Sequence, residues 1–358
     1  MEKPADLARS LQDKLNTLHD SVVSEDPFVW TNDAKEQKRR EDVFRGISDQ
    51  LTAYRHVPKT GKVLKILGFG TALPLAIFGV LYILGVPVDE NARLWVWSGL
   101  IVVAVASAIA AAVIASNPSL DEDLALAYCT TPRGWSFSRI NTERVWLAYK
   151  IPFRYFDQGD EDQEIRRRLW GYFDQERKRA FQLFHFYFET VYYTTVAVRN
   201  AKGHITGYRR VKHEVPHHRY GVFAKMPESR IRFRITETGG NPGFNKEMKL
   251  EYGALNKAVN VYCDAADELA ARQFLSPAVQ ETVMAFSDWL PSLMLDFYPG
   301  FVMLVTAHDP FGELGGISFD ENTPRFQETL KPGIDHLVGI VSGIDEKLRQ
   351  VAKYNDNY

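Results

Sequence analysis

The string His213-Glu214-Val215-Pro216-His217 matches the HExxH motif of zinc proteases. In those enzymes the two histidines lie one helical turn apart and bind the metal, while the glutamate acts as a general base. Pro216 falls between the histidines, and a proline inside a helix removes a hydrogen bond and collides with the preceding turn. The flanking residues favour a strand that runs into a turn, so we predict no metal site. His213 and His217 remain the candidate ligands, and a hydrolase that uses them with Glu214 remains an alternative function.

Two glycine-rich segments and two cysteines give weaker signals. The segment 239–243 lacks the preceding strand, the following helix and the Lys-Ser/Thr pair of a phosphate-binding loop, so it is predicted to be a long turn. The segment 309–316 is also predicted to be a turn, with a mobile binding loop as the alternative. Cys129 and Cys263 form no CxxC pair, which argues against a zinc cluster and a disulfide framework. We therefore predict no catalytic residue and no cofactor, and we favour a non-enzymatic protein over an enzyme.

Six cationic residues are concentrated in the segment 161–184. They are Arg166, Arg167, Arg168, Arg177, Lys178 and Arg179. Aromatic residues lie between them, and the whole segment is predicted to form one helix. A basic, aromatic-rich helix beside an anionic membrane could lie against the headgroups, which makes these residues candidates for contact with the membrane surface. The alternative is a helix whose basic face is solvated and whose aromatic face is buried in the protein.

Two long uncharged runs precede these residues, at 66–88 and 94–115. Each is long enough for a helix, at about 1.5 Å per residue, to cross a hydrocarbon layer of about 30 Å, so together they predict a two-helix transmembrane hairpin. Ala104, Ala108 and Ala112 lie on one face of the second run, where small residues permit close helix packing in lipid. Basic residues concentrated before the first run place both termini in the cytoplasm. The chain is therefore predicted to be a multi-pass protein of the inner (plasma) membrane.

The rest of the sequence predicts helices and strands in a mixed order. Apolar residues at helical spacing indicate helices near both termini. Between them, runs rich in β-branched and aromatic residues predict strands, and Ser276 with Pro277 marks the start of a helix. Many strands with few intervening helices are typical of an α+β fold with an antiparallel sheet and flanking helices. The predicted division is N-terminal cytoplasmic helices at 1–60, the transmembrane hairpin at 63–117, a juxtamembrane connector with the basic helix at 118–183, and a cytoplasmic α+β domain at 184–358.

The second half of the chain contains features of a known sequence pattern. They are Glu251 and Asn256 after a strand, Val261 in the next strand, Asp264 after it, and Leu275 with Pro277 at the next helix. Together with two uncharged runs ahead of them, these features resemble the bacterial domain-of-unknown-function 3137 family. The resemblance covers the second half and the layout of the anchor. It implies a membrane hairpin joined to a soluble domain, and it implies no catalytic residue.

Overall charge and the lack of a catalytic cluster decide the predicted class of function. A formal net charge of −2 lacks the basic excess that a nucleic-acid-binding surface usually needs, so nucleic acid is not a predicted partner. We predict a membrane-anchored protein whose cytoplasmic domain serves as an interaction or scaffold module. The predicted partners are membrane lipid and either a second protein or further copies of the chain. A lipid-binding or lipid-sensing module is an alternative, beside the hydrolase.

Overall fold

The protein's structure, a computed structural model, describes residues 10, 13–18, 34–51, 120–199, 201, 203–237, 243–315 and 326–354. Residues 13–18 are helical. The helices after them are α1 (Ala34–Leu51), α2 (Leu120–Thr130), α3 (Thr142–Lys150), α4 (Gly253–Ala258), α5 (Glu268–Phe274), α6 (Pro277–Trp289), α7 (Gly312–Gly315) and α8 (Phe326–Lys353). The strands are β1 (Ser136–Ser138), β2 (Glu161–Tyr172), β3 (Ala180–Arg199), β4 (Ile205–Met226), β5 (Phe233–Thr236), β6 (Lys246–Met248), β7 (Asn260–Cys263), β8 (Met294–Tyr298) and β9 (Gly300–Thr306). Short 3-10 helices lie at Thr131–Arg133, Arg154–Asp157 and Ala265–Asp267.

The nine strands form one sheet in the order β1-β2-β3-β4-β9-β8-β5-β7-β6. All of its neighbouring strands are antiparallel. β3 and β4 form a long hairpin, and β8 and β9 form a short hairpin beside it. Strands that follow one another closely along the chain can pair only in this antiparallel way, because a parallel pair needs a long crossover connection.

Two clusters of buried apolar side chains lie on opposite faces of the sheet, because successive side chains of a strand point to opposite faces. The first core lies under α6 and α8 and includes Phe181 and Leu183 of β3. The second core lies under α3 and the 3-10 helix Arg154–Asp157 and includes Phe184 and Phe186 of the same strand. β4 and β9 also contribute alternate side chains to the two cores. The central strands therefore belong to both hydrophobic layers.

Some of the predicted elements agree with the structure and others do not. α6 begins at Pro277 with Ser276 as its N-cap, and α8 contains the predicted C-terminal amphipathic helix. The helix predicted over residues 161–184 is wrong, because these residues form β2, a turn and the first part of β3. β2 lies between β1 and β3. Hydrogen bonds to two neighbouring strands outweigh a helical preference that depends on local sequence alone.

The structure contradicts the predicted transmembrane hairpin. Among the residues that it describes, no helix is both long enough and apolar enough to cross a bilayer. The longest of these helices, α8, has 28 residues but alternates an apolar face on the first core with a charged one. Both predicted spans, 66–88 and 94–115, lie outside the described residues. The same holds for the small residues on one face of the second span, Ala104, Ala108 and Ala112. On this finding we correct the fold class to an antiparallel nine-stranded sheet with helices, and we withdraw the description as a membrane protein of the inner membrane with cytoplasmic termini.

The described N-terminal residues pack on the sheet domain. Leu15, Leu18 and Ile47 are buried members of the first core. The ring of Phe44 contacts that of Tyr128 in α2 edge to face, with 4.9 Å between the centroids. A helical segment that packs on the chain's own domain accounts for the apolar spacing in this part of the sequence.

Candidate interaction site: an arm formed by strands β3 and β4

The hairpin of β3 and β4 extends beyond the rest of the sheet. β2 pairs with β3 only as far as Glu189, and β9 pairs with β4 only from Tyr220 onward. Residues 190–199 and 205–216 continue as a ribbon of two strands, which we call the arm. Within the described ranges no third strand pairs with it. At about 3.4 Å per residue, ten residues of strand make the arm about 34 Å long.

Most exposed apolar side chains of the described residues lie on the arm. Thirteen large hydrophobic residues are exposed among the described residues, and seven of them belong to the arm. This concentration distinguishes the arm from the rest of the described surface. These seven are Tyr192, Tyr193, Val196, Val198, Ile205, Tyr208 and Val215. Tyr208 is 71% exposed and Tyr192 is 52% exposed. Single apolar residues on a surface are ordinary, but a contiguous group of this kind marks an interaction surface.

Strand alternation divides the arm into two faces. The apolar face carries Tyr192, Val196 and Val198 of β3, and it also carries Val215 of β4, which pairs with Thr190. The basic face carries Tyr193 and Tyr208 together with Arg210 and Lys212. There the guanidinium of Arg210 lies 4.0 Å from the ring centroid of Tyr193. The Nζ of Lys212 lies 2.7 Å from the carboxylate of Glu214 and 2.6 Å from that of Glu161.

Histidines of β4 stack on aromatic rings of β3 and hold the apolar face in one arrangement. The rings of Tyr192 and His213 stack with 4.9 Å between their centroids. His213 Nε2 also shares a hydrogen bond of 2.7 Å with Thr194 Oγ1. One step nearer the body of the sheet, His217 stacks on Phe188 with a centroid distance of 4.9 Å. Cross-strand contacts of this kind are the unit of sheet stabilisation, so the arm has an ordered face to present.

The residues of the HExxH string lie within β4, and the strand keeps them apart. His213 and His217 are four residues apart along an extended chain, which is about 13 Å. Zinc–nitrogen bonds of about 2.1 Å cannot bridge that separation. Glu214 points to the other face, toward Lys212. Among the described residues no group of three or more His, Cys, Asp or Glu side chains could hold a metal ion.

The six cationic residues do not form one surface. Arg166, Arg167 and Arg168 follow one another along β2, so their side chains alternate between the two faces of the sheet. Arg167 Nε lies 2.5 Å from a carboxylate oxygen of Glu122, and Arg168 is buried. The other three, Arg177, Lys178 and Arg179, lie in or beside the turn between β2 and β3.

At least four of these cations pair with carboxylates of the chain itself, among them Arg167, as described above, and Lys178, which pairs with Glu176. Arg179 pairs with Asp345 of α8 and lies 3.5 Å from Asp174. Arg166 Nε lies 2.6 Å from Glu164. Because strand geometry splits the run in sequence, the structure does not assemble the basic helical face that the sequence predicts. Contact of the six cationic residues with a membrane surface stays a prediction.

A polar cluster at the base of the arm joins residues that are far apart in the sequence. His185 Nε2 lies 2.9 Å from His218 Nδ1, and the two rings stack at 5.2 Å. Tyr220 Oη donates a hydrogen bond of 2.9 Å to Asp309 Oδ2. Burial lowers the pKa of His185 to about 2, and the positive charge of Arg167 acts in the same direction. His185 is therefore a neutral imidazole at every ordinary pH.

The segment 309–315 lies beside this cluster and is held by hydrogen bonds and by packing. Asp309 Oδ1 accepts a hydrogen bond of 2.8 Å from the backbone N–H of Phe311. Phe311 and Leu314 are buried in the first core. These contacts anchor the segment as far as residue 315, and residue 316 lies outside the described ranges. The segment 239–243 is described only at Gly243, whose φ of +90° favours a glycine.

Comparison of the chain with family models, with curated proteins and with solved structures gave no match. The resemblance to the domain-of-unknown-function 3137 family therefore stays a prediction. The arm must be interpreted from its own chemistry.

The sequence contains a signal for the arm. Residues 190–198 read TVYYTTVAV, which is nine residues without a charge, a proline or a glycine. β-Branched and aromatic residues favour extended chain, so this segment predicts a strand. A strand buried on one face alternates apolar with charged residues, and this segment does not alternate. Continuous apolar character usually indicates a buried strand, and only the structure shows that here it is exposed.

Proposed function

We propose that this protein is a non-enzymatic interaction module and that it binds a protein partner through the arm. The observation that carries the proposal is the concentration of exposed apolar side chains on a ribbon that extends past the rest of the sheet. Burial of apolar surface stabilises a complex by about 25 cal/mol per Å² before the costs of association. The apolar face of the arm is the part of the described surface that would gain most from such burial.

The structure of the ribbon itself also favours a bound partner. An isolated two-stranded hairpin is at best marginally stable in water, because it buries too little apolar surface. In the arm, ten residues of β3 pair only with β4, because β2 begins at Glu161, opposite Glu189. Docking of a protein on the apolar face would stabilise the ribbon and remove Tyr192 and Val196 from water.

Charge argues for a protein rather than a nucleic acid as the partner. The cations of the basic face are already engaged, since Lys212 pairs with Glu161 and Glu214 and Arg210 lies over Tyr193. A nucleic-acid surface depends on many cations that are available to phosphates. The apolar face offers few cations, and a formal net charge of −2 adds no general attraction to polyanions.

Photo-crosslinking in cells that express the full chain tests the proposal. A benzophenone-bearing amino acid is placed at Tyr192 or Tyr208 on the arm, and at Leu269 on α5 as the control, because Leu269 is 70% exposed and lies off the arm. We expect protein adducts from the arm positions in at least tenfold higher yield than from Leu269. Equal yields at all three positions, or no adduct from the arm, would overturn the proposal.

A further inference from the structure

We infer, on the basis of the proposed function, that the partner of the arm is a second copy of this chain, paired antiparallel along the outer edge of β3 about a two-fold axis at Thr194. The two arms would then form one continuous four-stranded ribbon. A two-fold contact uses the same surface on both copies, so the edge must be complementary to itself.

The outer edge of β3 has backbone groups that face away from β4. The N–H of Asp160 donates to the carbonyl of Glu189 at 2.7 Å, and the N–H of Val191 donates to Asp160 Oδ2 at 2.8 Å. Odd-numbered residues of β3 therefore direct their backbone groups outward, and even-numbered ones direct theirs to β4. Beyond Val191, the outward groups belong to Tyr193, Thr195 and Ala197, and no strand of the described residues pairs with them. Unpaired strand edges are templates for another strand.

The two edges of the arm differ in how they are protected. The edge of β4 carries Arg209, Arg210, Lys212 and Pro216, and charged residues and proline are the features that block edge-to-edge pairing. The edge of β3 has neither over residues 190–198. A segment with high β-propensity, no charge and no proline pairs readily with another strand. The contrast assigns the pairing to β3.

The sequence of this edge fits an antiparallel copy of itself. With Thr194 at the axis, Tyr193 faces Thr195 of the second copy, and the two residues exchange backbone hydrogen bonds. Tyr192 faces Val196 of the second copy on the apolar face. Aromatic and β-branched residues form favourable cross-strand pairs, and no like charges meet along the seam.

Charge complementarity supports the same arrangement at the ends of the seam. The antiparallel register carries the tip of one arm toward the point where β2 of the other copy begins. The chain at the tip, residues 199–204, has the sequence RNAKGH, which is basic. The segment 157–162 at the start of β2 has the sequence DQGDED, and Asp157, Asp160 and Asp162 are exposed. The register therefore brings together two segments whose sequences carry opposite net charge.

Disulfide trapping with a matched control tests the register. In Thr194→Cys the two Cβ atoms would lie about 4.5–5.5 Å apart across the axis, within reach of a disulfide after small shifts. Thr190→Cys is the control, because both threonines are exposed and each lies within hydrogen-bond distance of a β4 histidine, Thr194 of His213 and Thr190 of His217. Two copies of Thr190 would lie about 27 Å apart. The native cysteines, Cys129 and Cys263, are buried and do not compete.

We expect Thr194→Cys to form the cross-linked dimer at least tenfold faster than Thr190→Cys under mild oxidation. Equal rates, or no cross-link from either variant, would overturn the two-fold pairing. Light-scattering mass measurements on the full chain give a second test. We expect a dimer whose dissociation constant rises at least tenfold in Thr194→Lys, where two ammonium groups meet at the axis, and stays unchanged in Thr194→Ser. A wild-type chain that is monomeric at all concentrations would also overturn the pairing.

The mass of the photo-adducts separates this inference from the proposed function. Adducts from Tyr192 with twice the mass of the chain support the second copy as partner. Adducts with a different protein, together with a monomeric wild-type chain, overturn the homotypic pairing and leave the proposed function standing. An arm that gives no adduct overturns both.

Discussion

At the scale of single residues, His185 is a buried titratable group whose pKa departs far from its ordinary value. It lies in the first half of β3 and is only 4% exposed. Its Nε2 contacts His218, while its buried Nδ1 has no hydrogen-bond partner among the described residues. Burial, Arg167, His218 and Arg166 all lower its pKa. A charged imidazole would lie in an apolar layer beside two guanidinium groups, so the folded protein holds the neutral form.

This burial makes stability depend on pH. The pKa of His185 falls from 6.5 to about 2 on folding, so below about pH 6.5 the unfolded chain binds a proton that the folded chain does not. The contribution to the free energy of unfolding is complete above that pH and is lost at about 1.4 kcal/mol per unit as the pH falls. We expect a loss of about 2 kcal/mol at pH 5, measured by urea denaturation. The pKa of His218 is also lowered, so it contributes in the same direction.

His185→Gln removes the titrating group and keeps a polar side chain at the position. We expect its unfolding free energy to fall less steeply between pH 7 and pH 5 than that of the wild type. Denaturation curves that shift in parallel for both proteins would show that another group causes the pH dependence.

At the scale of elements, β4 is one strand with two environments. Its C-terminal half is packed between β3 and β9 with a core on each face, while its N-terminal half belongs to the arm. Gly221 lies in the packed half. A Cβ at Gly221 would overlap the ring of Phe184 and come within 2.5 Å of the carbonyl oxygen of Leu304. Gly207 lies in the arm, where a Cβ would meet nothing within 4 Å.

The same substitution at these two glycines separates the two environments. We expect Gly221→Ala to lower the free energy of unfolding by about 2 kcal/mol, because backbone and a buried ring must move apart. Gly207→Ala leaves the free energy unchanged or raises it slightly, since alanine restricts the unfolded chain. Chemical denaturation of both variants measures the difference. An equal effect at the two positions would mean that the arm is packed as tightly as the body of the sheet.

At the scale of the whole molecule, the two cores share their sheet. β3, β4 and β9 contribute residues to both cores. If either core unfolded, these strands would be lost, and the other core would lose the sheet on which it packs. Phe156 is fully buried in the second core, and Leu337 is fully buried in the first core. The physical consequence is that the described domain should unfold as one cooperative unit.

Large-to-small substitutions in each core test this cooperativity. We expect Phe156→Ala to cost about 3–5 kcal/mol and Leu337→Ala about 2–5 kcal/mol, because each leaves a cavity. Both variants should lower the midpoint of the same single transition, whether it is followed by near-UV or far-UV circular dichroism. Two separate transitions in either variant would show that the cores are independent.

Local sequence determined the elements whose stabilising signals are also local. Runs of β-branched and aromatic residues identified most strands, and Ser276 with Pro277 identified the start of α6. Propensity and capping act over a few neighbouring residues, so one sequence contains them in full. The prediction of transmembrane helices also used a local property, the length of uncharged runs along the chain. It did not establish a membrane-crossing helix, and the described residues contain none.

Tertiary structure alone decided which strands end together and which faces meet water. The order of nine strands leaves β3 and β4 longer than their neighbours, and that difference in length exposes the arm. Tertiary contacts also explain why residues 161–172 form β2 rather than the predicted helix. They bring His185 and His218 together at the base of the arm. Strand pairing and burial depend on residues far apart in the chain, and the periodicity of a single segment does not contain that information.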